Sequence, residues 1–453
     1  MQNQHFSDGN SPSAWDRTSQ WVKNSVSLKI IGIGFLLLLM LIPLSLIEDI
    51  IRERKHFQEQ TVRDVSNDWA QYQTITGPIL MIPFDELNYY TDQKTGSTSV
   101  TRTAHSASFL PEELIIDGKL LPQKKHRGIY EVSVYNSELN VKGKFVEPDF
   151  DFGFDSIEVD MSKAQVVFGV TDSRGIDQVE LKSSLGKIPY TPGAGACGLF
   201  SKGVHFKLDL SNSKELDFEI LLKLKGSYGF NMLPLGKSTK AHLKGEWSDP
   251  KFQGAHLPDS HNIDNELNTF EANWEVLDLN RSFPQKFLAA NIQTNGEGFG
   301  VELHMPVSQY QKNMRAAKYS VLFIALTFLC FFFVQVIKKV KIHFVQYLLV
   351  GFALCLFYVL LLSFSEVIGF NYAYLIATLA VILQICLYIK SVTKNTRITL
   401  MLSGLLGLLY TFVFSIIQME ERSLLFGSIG LFIILGAIMY LSRSVQWNNM
   451  AKE

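Results

Sequence analysis

The chain is poor in cysteine, with four in 453 residues. Three of them, Cys330, Cys355 and Cys386, fall inside long apolar runs, which leaves Cys197 alone in the polar part. A disulfide framework within that part is therefore excluded. Cys197 lies in a Gly-Ala-rich turn with no basic neighbour in sequence, and reads as an incidental thiol rather than a nucleophile. Excess charge of either sign is missing too. Lys and Arg number 42 against 43 Asp and Glu, for a net charge of −1, which excludes a nucleic-acid binder driven by bulk basicity. Signatures of catalysis are also absent. There is no Walker A, HExxH, CxxC or GxSxG run. Two SxxK matches, Ser184 to Lys187 and Ser211 to Lys214, lack the SDN and KTG companions that would give them meaning. His205, His242, His256 and His261 show no metal-ligand spacing and read as core or surface histidines. No catalytic residue, cofactor site or metal site is expected.

Charge itself is scarce in one region. Residues 319–453 hold 13 of the 85 charged residues. A bilayer core of roughly 30 Å needs about 20 apolar residues of helix. Six runs qualify, at about 30–47, 319–337, 344–364, 372–389, 398–417 and 423–441. The first continues as Ile47-Glu48-Asp49-Ile50-Ile51-Arg52 with no Ala-x-Ala site, so it reads as an uncleaved anchor rather than a signal peptide. Basic residues sit in alternate loops: Arg17, Lys23 and Lys29, then Lys338, Lys339 and Lys341, then Lys390, Lys394 and Arg397, then Arg443 and Lys452. The intervening loops carry only Arg422. By the positive-inside rule both termini are cytoplasmic and residues 48–318 are translocated. The expected organisation is a cytoplasmic tail at 1–29, a first span at 30–47, an extracytoplasmic domain at 48–318, five further spans over 319–441, and a cytoplasmic tail at 442–453.

The spans hold almost no ionisable residue, which disfavours an active transporter. Gln335, Gln346 and Gln384 are polar but uncharged, and fit interhelical hydrogen bonding. A transport or channel component built on the C-terminal helices is the alternative reading, and it requires a polar path past Gln335, Gln384 and Glu366.

In the translocated part, Phe57, Val62, Val65, Trp69 and Tyr72 fall near one helical face. They predict a stalk helix over about 48–75, ending before Thr76-Gly77-Pro78. Beyond it the period becomes two. Thr101 to Phe109, Gly128 to Tyr135, Glu138 to Phe145, Val204 to Leu210 and Leu216 to Leu224 predict half-buried antiparallel strands. Asp117-Gly118, Arg127-Gly128, Pro192-Gly193 and Leu235-Gly236 are the turn signals, and Asp172-Ser173-Arg174-Gly175 reads as a turn holding a cation. The fold class is thus an α+β membrane protein, with six transmembrane helices and a large β-rich domain between the first two.

Several segments resemble the CreD family of bacterial inner-membrane proteins. They begin with Thr76-Gly77-Pro78-Ile79-Leu80-Met81-Ile82-Pro83, Phe109-Leu110-Pro111-Glu112-Glu113-Leu114 and Leu233-Pro234-Leu235-Gly236-Lys237-Ser238-Thr239. Trp247-Ser248-Asp249-Pro250 follows, then Pro306-Val307-Ser308-Gln309-Tyr310 with Arg315-Ala316-Ala317-Lys318-Tyr319, and finally Gln346-Tyr347-Leu348-Leu349 with Ser365-Glu366. The resemblance spans about 28–445. Gln335 and Phe344 depart from it, standing where an acid and a proline are expected. It implies a role in envelope integrity, a link to colicin tolerance and stress response, and control by a two-component system. It supplies no catalytic residues. The bilayer is the first expected partner, and a protein, lipid or cell-wall component on the periplasmic side the second. Arg315, Lys318, Gln346 and Glu366 are the candidate residues for coupling the domain to the helices; the plain alternative is independent solvated charges.

Overall fold

A computed structural model describes residues 26–443, apart from 92, 94–97, 196–197, 214, 289–291, 293, 295, 304–308, 338–339, 341 and 420–422. Cys197 and the orientation-setting residues Arg17, Lys23, Lys338, Lys339, Lys341, Arg422 and Lys452 lie outside the described residues. The chain forms two compact units, one of Met1–Phe57 with Val307–Glu453, the other of Gln58–Pro306.

The first unit is helical. Helix α1 (Val26–Trp69) is a single helix of 44 residues. Leu36, Met40, Leu44, Ile47 and Ile51 are buried, three or four residues apart, and form its inner stripe. Later in the chain come α2 (Gln309–Lys318), α3 (Ser320–Ile337), α4 (Phe344–Ile368), α5 (Phe370–Thr393), α6 (Thr396–Gln418) and α7 (Ser423–Ser442). By length and composition α1, α3, α4, α5 and α6 can cross a membrane, and α7 adds an apolar stretch over Leu425–Tyr440. Helix α4 approaches α1 closely through Gly351, where a Cβ would lie 2.8 Å from the Met40 sulfur. The interior is aromatic: Phe323, Phe357, Tyr374 and Tyr410 pack edge-on or tilted against one another with ring centroids 4.4 to 6.3 Å apart.

The second unit is a two-sheet β domain around one apolar core. Its strands are β1 (Gln73–Thr91), β2 (Thr98–Phe109), β3 (Glu113–Arg127), β4 (Tyr130–Phe145), β5 (Ile157–Val159), β6 (Ala164–Val170), β7 (Ile176–Ser183), β8 (Gly186–Ile188), β9 (Tyr190–Pro192) and β10 (Gly203–Leu208). They continue as β11 (Leu216–Ser227), β12 (Gly229–Met232), β13 (Ser238–Gly245), β14 (Pro250–Gly254), β15 (Ser260–Asp264), β16 (Thr269–Leu277), β17 (Lys286–Leu288) and β18 (Phe299–Leu303). One sheet runs β14-β18-β12-β1-β6-β10-β9, with β2 and β5 on β1 and β17 on β2. The other runs β15-β16-β13-β3-β4-β11-β7-β8. Pairing is antiparallel except for β1 with β12 and β3 with β13. Inward residues such as Leu114, Ile116 and Leu120 of β3 and Leu216, Phe218, Ile220, Leu222 and Leu224 of β11 are buried, as strict alternation requires.

Four local expectations are corrected. The span and the stalk are one helix, which ends at Trp69 well before Thr76; Arg52 bridges Glu48 and Asp49 across the polar start of the stalk and carries the helix through. Thr76-Gly77-Pro78 lies inside β1, at a bulge in its pairing with β6, where Gly77 (φ 130°) brings its backbone against Val167 and Phe168. Asp117-Gly118 is no turn but the middle of β3; a Cβ at Gly118 would lie 2.4 Å from Leu243, so the glycine makes room for the core. The two strands expected over 128–135 and 138–145 are one, because Ser137 keeps the inward phase and its hydroxyl donates to Leu224 O at 2.8 Å.

A polar seal ties the end of α1 to the β domain. The Ser227 hydroxyl donates to Ala70 O at 2.6 Å. Gln73, fully buried, donates to Asp172 O (3.0 Å) and Lys225 O (3.1 Å) and accepts from Asp172 N (3.1 Å). Arg174 chelates the buried Asp172 carboxylate through Nε and Nη2 at 3.0 and 2.6 Å, so this segment is the cation-holding turn expected from its sequence. The Arg174 guanidinium holds the Asp172 carboxyl below its usual range.

Candidate functional site

Helix α2 presents Tyr310 and Asn313 three residues apart, both buried, and therefore one turn apart on a single face. The end of α4 presents the consecutive pair Ser365 and Glu366. The two helices meet through these four side chains. Asn313 Nδ2 donates to Ser365 Oγ at 2.7 Å and to Gln309 O at 2.9 Å. Ser365 Oγ donates to Leu362 O at 2.8 Å. The Tyr310 hydroxyl donates to Glu366 Oε1 at 2.9 Å. Arg54 of α1 brings its Nε to 3.9 Å from the same carboxylate oxygen, whose side chain is 18% exposed. Three helices thus share one polar clamp at an end of the helical unit.

Of the residues singled out from sequence, Glu366 is central to this clamp. Its partners among the described residues are Tyr310 and Arg54 rather than Arg315 or Lys318. Arg315 lies on α2 with its Nη1 buried and without a hydrogen-bond partner, and Lys318 is exposed at the helix end. Gln346 is at the opposite end of α4, where its Oε1 accepts from His343 N at 2.9 Å in a helix cap. Twenty helical residues separate Gln346 from Glu366, about 30 Å along the axis. Tyr310, Asn313 and Ser365 escaped the sequence reading, although the spacing of the first two on an amphipathic helix was a usable signal.

The polar path required by a channel does not form from the residues named for it. Gln335 accepts from the Tyr347 hydroxyl at 2.8 Å, Gln384 lies on the outer surface of α5, and Glu366 is in the clamp. Nor do the four histidines converge. His205 contacts Gly193 O, His256 and His261 pack on Phe299 and Phe252, and His242 lies between Asp117 (3.6 Å) and Glu271 (2.7 Å). Among the described residues no three His, Cys, Asp or Glu side chains gather as a metal set.

On the β domain, two open grooves of about 510 and 610 Å³ share Asp117 and His242 on the polar face of the β15-to-β8 sheet. Lys119 and Lys244 line the first, and Lys240, Asn273 and Glu275 the second. They are the domain's candidate binding surface.

A family model described as inner membrane protein CreD matches residues 25–448. The chain is also 29% identical over 435 residues to the inner membrane protein CreD of Escherichia coli (strain K12), which covers 94% of each chain. The long apolar helices, the inserted β domain and a family match over nearly the whole length agree: this chain belongs to the CreD family and is a multi-pass inner-membrane protein.

Proposed function

We propose that the protein is a non-enzymatic support of the bacterial cell envelope, whose β domain binds or senses an envelope component on the periplasmic side. In this reading residues 48–318 are translocated and both termini are cytoplasmic. The clamp carries the reading. Helix α2 follows the last strand of the β domain in the chain, and two consecutive α4 residues, Ser365 and Glu366, grip it. A change of load on the β domain reaches α2, with Arg315 and Lys318 in its final turn, and passes to α4 and α1 through Asn313, Tyr310 and Arg54. The seal at Gln73 and Asp172 fixes the end of α1 within the β domain.

The test is an Asn313→Leu, Tyr310→Phe double variant in a strain lacking the parental gene, challenged with detergent and colicin. Wild-type membrane levels with lost envelope resistance support the coupling. Full resistance at wild-type levels sinks it.

A further inference from the structure

The window of α5 that fits a bilayer is 22% buried, as is that of α1, against 39% for α6 and 56% for α3 and α4. The bare side of α5 is a stripe of Ile376, Leu379, Ala380, Leu383, Gln384 and Leu387, all exposed. Gln384 is the one residue of that stripe with strong hydrogen-bonding groups, and among the described residues its amide meets no partner. Gln335, by contrast, is used by Tyr347. Lys390 is the charged residue on α5 nearest to Gln384, six residues on and about 9 Å along the axis, so the amide lies within the apolar stretch. An unsatisfied amide in hydrocarbon is costly, and transmembrane helices relieve that cost by hydrogen bonding to one another. Gln384 itself lines a groove of about 240 Å³, together with Leu349, Val350, Ala353, Ile385 and Tyr388.

We infer that this face of α5 is a self-association surface, on which a second copy of the chain packs α5 against α5 with the two Gln384 amides hydrogen-bonded across a two-fold axis. A second copy fits for three reasons. A primary amide is both donor and acceptor, so two of them satisfy each other. Two copies in one membrane share an orientation, which a two-fold axis along the membrane normal preserves, and the contact is then isologous and closed. The groove at Gln384 offers each copy a recess for an aliphatic side chain of the other, such as Leu387.

The experiment uses the full chain in native membranes with its natural cysteines replaced by serine. Single cysteines are placed at Leu383, Leu387 and, as a control on a different helix, Leu408, each more than half exposed. Oxidative crosslinking should give a covalent dimer, twice the 51.2 kDa chain, at positions 383 and 387 and not at 408. In parallel, single-molecule photobleaching of the labelled parental chain in dilute vesicles should count two chains per particle. Gln384→Leu should weaken association about ten-fold, or about 1.4 kcal/mol, and Gln384→Asn should retain it. One chain per particle at every dilution, equal crosslinking at position 408, or an unchanged dimer in Gln384→Leu each overturns the inference. So does crosslinking of position 387 to a different protein with no self-crosslink.

Discussion

Replacing Gln73 with leucine tests the seal between α1 and the β domain. Gln73 is fully buried and makes three hydrogen bonds, to Asp172 O, Lys225 O and Asp172 N. Leucine has a similar volume but strips the Asp172 N–H and the Lys225 carbonyl of this partner in the interior, while Asp172 O keeps its bond from Gly175 N at 3.1 Å. Each such group costs about 1–3 kcal/mol, and the added apolar burial offsets part of the sum. A net loss of about 3 kcal/mol is expected. For a domain of this size that lowers the melting temperature by about 6–12 °C. The assay is thermal unfolding of the full chain in detergent, followed by the β-sheet circular dichroism signal. Gln178→Leu is the control: that side chain is exposed on β7, and its loss should stay within about 0.5 kcal/mol. If Gln73→Leu melts with the control, the seal contributes nothing to the stability of the β domain.

Other consequences follow from named contacts. Arg174 lowers the Asp172 carboxyl pKa in the folded state, so this pair stabilises the fold above the ordinary carboxylate value and loses its contribution as pH falls through the folded value. The stability gap between the parent and Asp172→Asn should therefore be full at neutral pH and shrink below about pH 4; a gap that grows on acidification contradicts the assignment. Gly143→Ala should abolish the folded domain, because its Cβ would lie 2.0 Å from Glu113 O, whereas Gly34→Ala, with open space around it, should be tolerated; protease resistance of membrane-inserted protein reads both. Glu366→Gln keeps an acceptor for Tyr310 and loses only a long ion pair with an exposed arginine, so it should cost under about 1 kcal/mol in a detergent melt. A larger loss would mean that the carboxylate charge itself holds the clamp.

The legibility of the sequence followed the strength of its periodicity. Long apolar runs have few alternatives in a water-soluble fold, so the helices of the last third stand where charge depletion placed them. Alternation likewise revealed β4, β10 and β11. Local punctuation was less dependable. Gly77-Pro78 and Gly118 look like breakers in one dimension, yet both lie within strands, where a missing side chain lets neighbouring backbone or core groups come close. The clamp was half visible. Glu366 stood out as a charge beside an apolar span, but its partners Tyr310, Asn313 and Ser365 are ordinary polar residues whose meeting depends on the packing of α2 against α4. The buried Gln73 had no one-dimensional signature, because a glutamine that bonds only to backbone looks like any other in the sequence.

Engagement of an envelope component by the β domain on the periplasmic side is open to in-cell photo-crosslinking. A photoreactive residue is placed at Lys240 or Lys244, which line the two grooves, and at Tyr90, an exposed residue on the other sheet, as the control. One discrete adduct with a periplasmic or outer-leaflet component is expected from the groove positions and none from position 90. Adducts with cytoplasmic proteins would contradict the placement, and a groove signal no greater than that from position 90 would contradict the binding role.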